Sequence, residues 1–146
     1  MRPYNSAVWY GKPTPYREEK GTGQKAKLML LKILKSKIHR ATVTEAKADY
    51  PGSIAIDSGL MKAAGILPYE SVLVADLNNG NRLETYAVPA EAGSGRIIVL
   101  GPAARLVKPK HTIVIFAFAF CTAHEVKTLK PKVIVLDKKN RVKGRK

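Results

Sequence analysis

The chain has 146 residues, 45% of them hydrophobic, and a formal net charge of +15. That length is most simply one domain with a packed core. No apolar run is long enough for a membrane-spanning helix, and the single cysteine, Cys121, excludes an intrachain disulfide and a multi-cysteine metal site.

Residues 1–28 are rich in glycine, proline and charge without a clear period, so they read as a flexible N-terminal extension. Lys12, Arg17, Glu18, Glu19 and Lys20 interrupt any apolar stretch there, so no signal peptide is expected and a cytoplasmic location fits best. Met29 is a candidate start residue and opens a more apolar pattern. Lys35 to Val43 reads as a strand, favoured by Ile38, Thr42 and Val43. Thr44 to Asp49 is too short for a helix. Ser53 to Ile56 is a short apolar strand. Asp57 to Gly65 reads as one short helix, capped by Asp57 or Ser58 and ended by Gly65. Ser71 to Leu77 and Arg82 to Pro89 read as two strands joined by an Asn79-Gly80 hairpin turn. Arg96 to Leu100 and Thr112 to Phe120 are further strands, and the near-continuous apolar run of the second predicts burial on both faces. Many short strands with one or two short helices predict a mainly β fold, a small β-barrel over residues 29–120. Residues 121–146 read as a basic, solvated C-terminal tail.

Gly52-Ser53 offers chemistry of its own. A serine hydroxyl can attack the preceding carbonyl, and glycine there permits strained backbone that other residues do not reach. The attack converts the peptide to an ester. Elimination leaves dehydroalanine, which hydrolyses to a pyruvoyl group at the new N-terminus. Pro51 restricts Tyr50 and fixes its own φ, which helps to hold such a bond in place. Gly-Ser steps are common, and most are ordinary turns. Downstream, strand alternation puts Arg82, Glu84 and Tyr86 on one face and Thr85 on the other. A guanidinium can clamp a carboxylate, a hydroxyl can donate to a developing oxyanion, and a phenol can protonate a carbanion. The plain alternative is a surface Arg82–Glu84 pair beside a half-buried tyrosine. Lys37 and His39 share a face of the first strand, with Arg40 on the other. His111 and His124 lack ligand-spaced partners, so no metal is expected.

Taken together in order and spacing, these pieces resemble the pyruvoyl-dependent aspartate 1-decarboxylase family. The matching stretches are Lys37-Ile38-His39-Arg40, Tyr50-Pro51-Gly52-Ser53-Ile54-Ala55-Ile56-Asp57, Ala63-Ala64-Gly65-Ile66-Leu67, Asn79-Gly80 with Arg82, Thr85-Tyr86-Ala87, and Gly101-Pro102-Ala103-Ala104-Arg105. The resemblance implies a double-psi β-barrel, self-cleavage between Gly52 and Ser53, and a homotetramer of cleaved protomers with active sites between subunits. It implies that L-aspartate forms a Schiff base with the pyruvoyl cofactor made from Ser53, and leaves as β-alanine and CO₂, a step of pantothenate biosynthesis. Tyr86 would be the proton donor and Thr85 would serve processing and substrate binding. Lys37 and Arg82 would meet substrate carboxylates, and Gly101, Pro102 and Ala103 would line the pocket, with Tyr50 and His39 in support. A maturation helper protein is a further candidate partner. The chain departs from the family pattern at Leu100 and Pro102, where Asn-Gly-Ala-Ala is usual, and at Lys110-His111, where Gly-Asp is usual.

Two other readings compete. A non-enzymatic basic β-barrel could bind nucleic acid, but the C-terminal basic run has no aromatic residue on which bases would stack. An unprocessed homologue kept as a scaffold would share every motif and stay in one piece.

Overall fold

The computed structural model describes residues 28–145, so the reading of the N-terminal extension lies almost entirely outside the described residues. The elements run β1 (Leu31–Thr42), β2 (Glu45–Lys47), β3 (Ser53–Asp57), α1 (Ser58–Ala64), β4 (Ser71–Asp76), β5 (Arg82–Ala90) and β6 (Ile97–Leu100). A 3₁₀ helix at Gly101–Arg105 precedes β7 (Thr112–Cys121), α2 (Ala123–Val126), β8 (Lys132–Leu136) and β9 (Val142–Arg145). The nine strands among the described residues join one sheet in the order β2-β6-β3-β5-β4-β7-β1-β8-β9. Over the described residues the fold is therefore mainly β with two short α-helices, consistent with a small β-barrel.

The core follows from the side chains. Ile38, Ile54, Ile56, Ile97, Ile113, Ile115 and Ile134, from five different strands, are almost wholly buried. Each such burial is worth about 1.5–3 kcal/mol, which offsets the backbone entropy of ordering the strands. β7 is buried on both faces only over Ile113, Val114 and Ile115. Beyond them Phe116 and Phe118 are half-buried, with ring centroids 6.3 Å apart, and Phe120 is exposed. The expectation of a strand buried throughout is corrected there, because no element among the described residues covers its aromatic face.

Helix α1 forms as its sequence predicts. Asp57 is the N-cap, accepting from the Gly59 N–H at 2.8 Å, and Gly65 closes the helix in the left-handed conformation at φ 71°. The Asp57 carboxylate also accepts from the N–H groups of Gly93 (3.1 Å) and Gly95 (2.8 Å), tying the loop before β6 to the end of β3. Burial pushes this carboxyl up, but the N–H groups of Gly95, Gly93, Gly59 and Leu60 outweigh that effect and hold it below its ordinary value. A lowered native pKa stabilises the fold above the unfolded-state value and loses that contribution as acid protonates the group. Asp57→Asn is thus expected to destabilise the protein at neutral pH by about 1–2 kcal/mol. In paired thermal melts the gap from wild type should close below about pH 4. A gap unchanged down to pH 2 would contradict this account of the carboxylate.

Residues 121–146 correct the reading of a solvated tail. β8 pairs in parallel with β1, from Ser36 opposite Lys132 to His39 opposite Val135, and buries Ile134 and Leu136. The buried Asn140 then bonds the N–H of Thr42 (2.7 Å) and the carbonyls of Thr42 and Gly95 (both 2.8 Å). The apolar run Val133–Leu136 decides the outcome, since its burial outweighs the solvation of flanking lysines. The turn before β7 puts Lys110 at φ 71° where the family usually has glycine, and His111 Nδ1 lies 2.6 Å from Asp76 Oδ2. Bonds from the Lys110 N–H to the Val43 carbonyl (2.8 Å) and from the Val43 N–H to the His111 carbonyl (2.9 Å) hold that backbone in place.

Candidate active site

Strand β3 brings the site together. It runs antiparallel to β6, with Ser53 opposite Leu100, and parallel to β5, with Ile54 opposite Ala87. The second register sets Ser53 beside Tyr86. Gly52 is exposed while Ser53 is only 3% exposed, so the bond between them crosses from surface to interior. An open groove of about 540 Å³ is lined by Ser53, Tyr50, Pro51 and Tyr86, with Ala55, Val88, Pro89, Ala90, Ile98 and Leu100 as apolar wall and Lys47 and Arg96 as cations. Hydroxyl, phenols and cations thus share one apolar-walled depression, the usual make-up of a small-molecule site.

Gly101 braces the Gly52-Ser53 bond from behind. Its φ is 77°, and a Cβ there would fall 2.6 Å from the Gly52 Cα and 2.8 Å from the Tyr50 carbonyl oxygen. Only glycine allows that approach. A Cβ at Gly52 would in turn lie 3.7 Å from Pro102 Cδ. Gly101→Ala combines a left-handed non-glycine backbone with overpacking and is expected to destabilise by about 2–4 kcal/mol. Displacing the Gly52 peptide should also slow any cleavage there. Denaturant melts and a time course of chain mass check both, and a variant matching wild type in both would show the contact to be incidental.

The other predicted residues fall elsewhere. Arg82, Glu84 and Tyr86 share the exposed face of β5, and Thr85 takes the opposite, half-buried face, opposite Val72 with no bulge between. Lys37 Nζ and the Arg82 guanidinium converge on the Phe116 ring, at 5.5 and 6.0 Å from its centroid, at cation–π range. Neither lines the groove that holds Ser53, and nor do Thr85, His39, Gly101, Pro102 or Ala103. Pro102 and Ala103 lie in the 3₁₀ helix, with Gly101 at its start, and Pro102 offers no N–H donor.

The reading from sequence missed Lys47 and Arg96. Both are held by Glu45: Arg96 reaches its Oε1 with Nη2 at 2.7 Å and Nε at 3.2 Å, and Lys47 Nζ lies 3.3 Å from Oε2. The Arg96 bond first, and the Lys47 bond second, hold the Glu45 carboxyl below its ordinary value. The i, i+2 spacing of Glu45 and Lys47 was a signal that both share a strand face. The parallel pairing of β2 with β6 that brings Arg96 to them was not readable locally. Among the described residues no group of His, Cys, Asp and Glu could hold a metal ion, and no helix is long and apolar enough to cross a membrane.

The family model described as aspartate decarboxylase matches residues 29–143. The aspartate 1-decarboxylase of Acetivibrio thermocellus is 53% identical over 114 residues, covering 78% of this chain and 90% of that protein. That of Moorella thermoacetica is 56% identical over 110 residues, covering 75% and 86%. That of Listeria monocytogenes is 47% identical over 114 residues, covering 78% and 90%. The match runs through β8, so it includes strands that charge alone would have set aside, and the chain belongs to the aspartate decarboxylase family.

Proposed function

We propose that this chain is a self-cleaving, pyruvoyl-dependent aspartate 1-decarboxylase that forms β-alanine and CO₂ from L-aspartate, in the cytoplasm and as a homotetramer of cleaved protomers. The observation that carries the reading is the Gly52-Ser53 bond at the mouth of an apolar-walled groove that also contains Tyr86. In maturation the Ser53 Oγ attacks the Gly52 carbonyl carbon. The carbon–nitrogen bond of that peptide breaks, and an ester replaces it. Elimination then releases Gly52 with its carboxylate and leaves the downstream chain to hydrolyse, with loss of ammonia, to a pyruvoyl end. The site fits that group: Ser53 is buried against the groove, and Gly101, lacking a Cβ, lets a second backbone pack directly behind Gly52.

Once present, the ketone conjugated to the adjacent amide supplies the electron sink that decarboxylation of an α-amino acid requires. The chain's own residues do the rest. Tyr86 delivers a proton to the α-carbon. The apolar wall of Ala55, Val88, Ile98 and Leu100 disfavours charge on the departing carboxylate. The side-chain carboxylate needs a fixed cation. Lys47 and Arg96 are engaged by Glu45, whereas Lys37 and Arg82 stand over Phe116 without a carboxylate partner among the described residues. A second protomer laid over the groove would bring its own Lys37 or Arg82 to the substrate, which supports the subunit-interface site. Denaturing mass spectrometry tests the reading: two fragments, meeting at Gly52 and Ser53, are expected, and a chain that stays whole under all conditions would refute it.

A further inference from the structure

Among the described residues Tyr69 is the one aromatic with a left-handed backbone. It lies between α1 and β4, has φ 63°, and is 77% exposed. A bulky side chain in the left-handed region is disfavoured by its own Cβ, and glycine or asparagine would suit the position better. Burial does not compensate, because the ring is largely in solvent. Its recorded ring contact is with Tyr86, the two centroids standing 6.3 Å apart at 33°.

The surrounding backbone fixes this arrangement from several sides. The Tyr69 N–H donates to the Ala87 carbonyl at 2.7 Å, and the Ala87 N–H donates to the Glu70 carbonyl at 2.9 Å. Ala87 directly follows Tyr86, so the turn is fastened to the strand position that carries the phenol. Glu70 anchors the turn again: its Oε2 accepts from the Leu67 N–H at 2.8 Å, and its Oε1 pairs with Lys35 of β1. A conformation that is unfavourable alone but over-determined by its neighbours marks a position kept for a function.

We propose that Tyr69 is a positioning residue for Tyr86: its ring closes one side of the Tyr86 ring and restricts its swing, holding the phenol hydroxyl over the groove that contains Ser53. The proposal rests on the reading of Tyr86 as proton donor. Its test uses the full-length cleaved enzyme in five forms: wild type, Tyr69→Gly, Tyr69→Phe, Tyr86→Phe and the Tyr69→Gly/Tyr86→Phe double variant. Cleavage is followed by denaturing mass and folding by thermal melts.

Tyr69→Gly removes the backbone strain, so cleavage and melting temperature should hold or improve while kcat falls about 10-fold with KM little changed. Tyr69→Phe keeps the ring and should restore kcat. In the double variant the glycine should add nothing to the loss already caused by Tyr86→Phe, because both act through one group. A Tyr69→Gly enzyme with wild-type kcat beside a crippled Tyr86→Phe overturns the positioning role alone. The same 10-fold loss on top of Tyr86→Phe overturns it too, since Tyr69 would then act independently. Normal turnover in Tyr86→Phe removes the proton donor and the positioning role together. Should Tyr69→Gly fail to fold, Tyr69→Asn, which tolerates the left-handed backbone, carries the same comparison.

Discussion

Ser53→Ala is expected to give a single unbroken chain with no measurable decarboxylation. The hydroxyl is the only group removed, and the proposed attack on the Gly52 carbonyl has no substitute nucleophile in alanine. On the proposed mechanism the site without the ketone lacks an electron sink, so the fall should reach the uncatalysed background, at least about 10⁶-fold. Loss of folding would not explain such a result. Ser53 sits at the start of β3 with a 3% exposed side chain, and alanine keeps its pairing with Leu100 and its extended backbone. Removing one hydroxyl there should shift stability by no more than about 1 kcal/mol. Mass, activity and melting temperature measured on one preparation separate the effects. A Ser53→Ala chain that still splits, or still turns over aspartate, would end the self-processing account.

Tyr86→Phe should behave differently, because it removes the proposed proton donor and leaves the proposed maturation nucleophile untouched. Cleavage at Gly52-Ser53 is expected to proceed, while kcat falls about 10²–10⁴-fold. The ring itself stays, so the contact with Tyr69 and the wall of the groove are retained. The defect should therefore sit in kcat with little change in KM, the pattern of an interaction made in the transition state. Uncleaved Tyr86→Phe protein would move the phenol from turnover to maturation, and full activity would remove it from both.

Much of the fold was legible because its signals are local. Asp57 and Gly65 bracket α1 as cap chemistry requires, and the left-handed Gly80 (φ 77°) turns β4 into β5. Alternation along β5 placed Arg82, Glu84 and Tyr86 on one face correctly, and the order of motifs named the family before any coordinate did. Non-local pairing was not legible. β8 reads as a short apolar island among lysines, and nothing near it announces β1, almost a hundred residues earlier, as its partner. Lys47 and Arg96 were overlooked for the same reason, since they meet only across the β2–β6 ladder. The placement of Lys37 and Arg82 apart from the Ser53 groove was equally hidden. Alternation tells which way a strand residue faces, but not which other strands lie next to it.

The position of β1 between β7 and β8 has a thermodynamic consequence. Under the proposed cleavage at Gly52-Ser53, the N-terminal piece would carry β1 and β2, while all their sheet partners, β6, β7 and β8, would belong to the other piece. The two would stay together as a clamped heterodimer with no covalent tie, and heat or urea would let them diffuse apart. Reassembly would then depend on encounter, and recovery after denaturation should rise with protein concentration and decline on dilution. The sheet of an uncut chain would re-form in a unimolecular step, so the concentration dependence of the returning sheet signal, read before subunit assembly, would distinguish nicked material from whole.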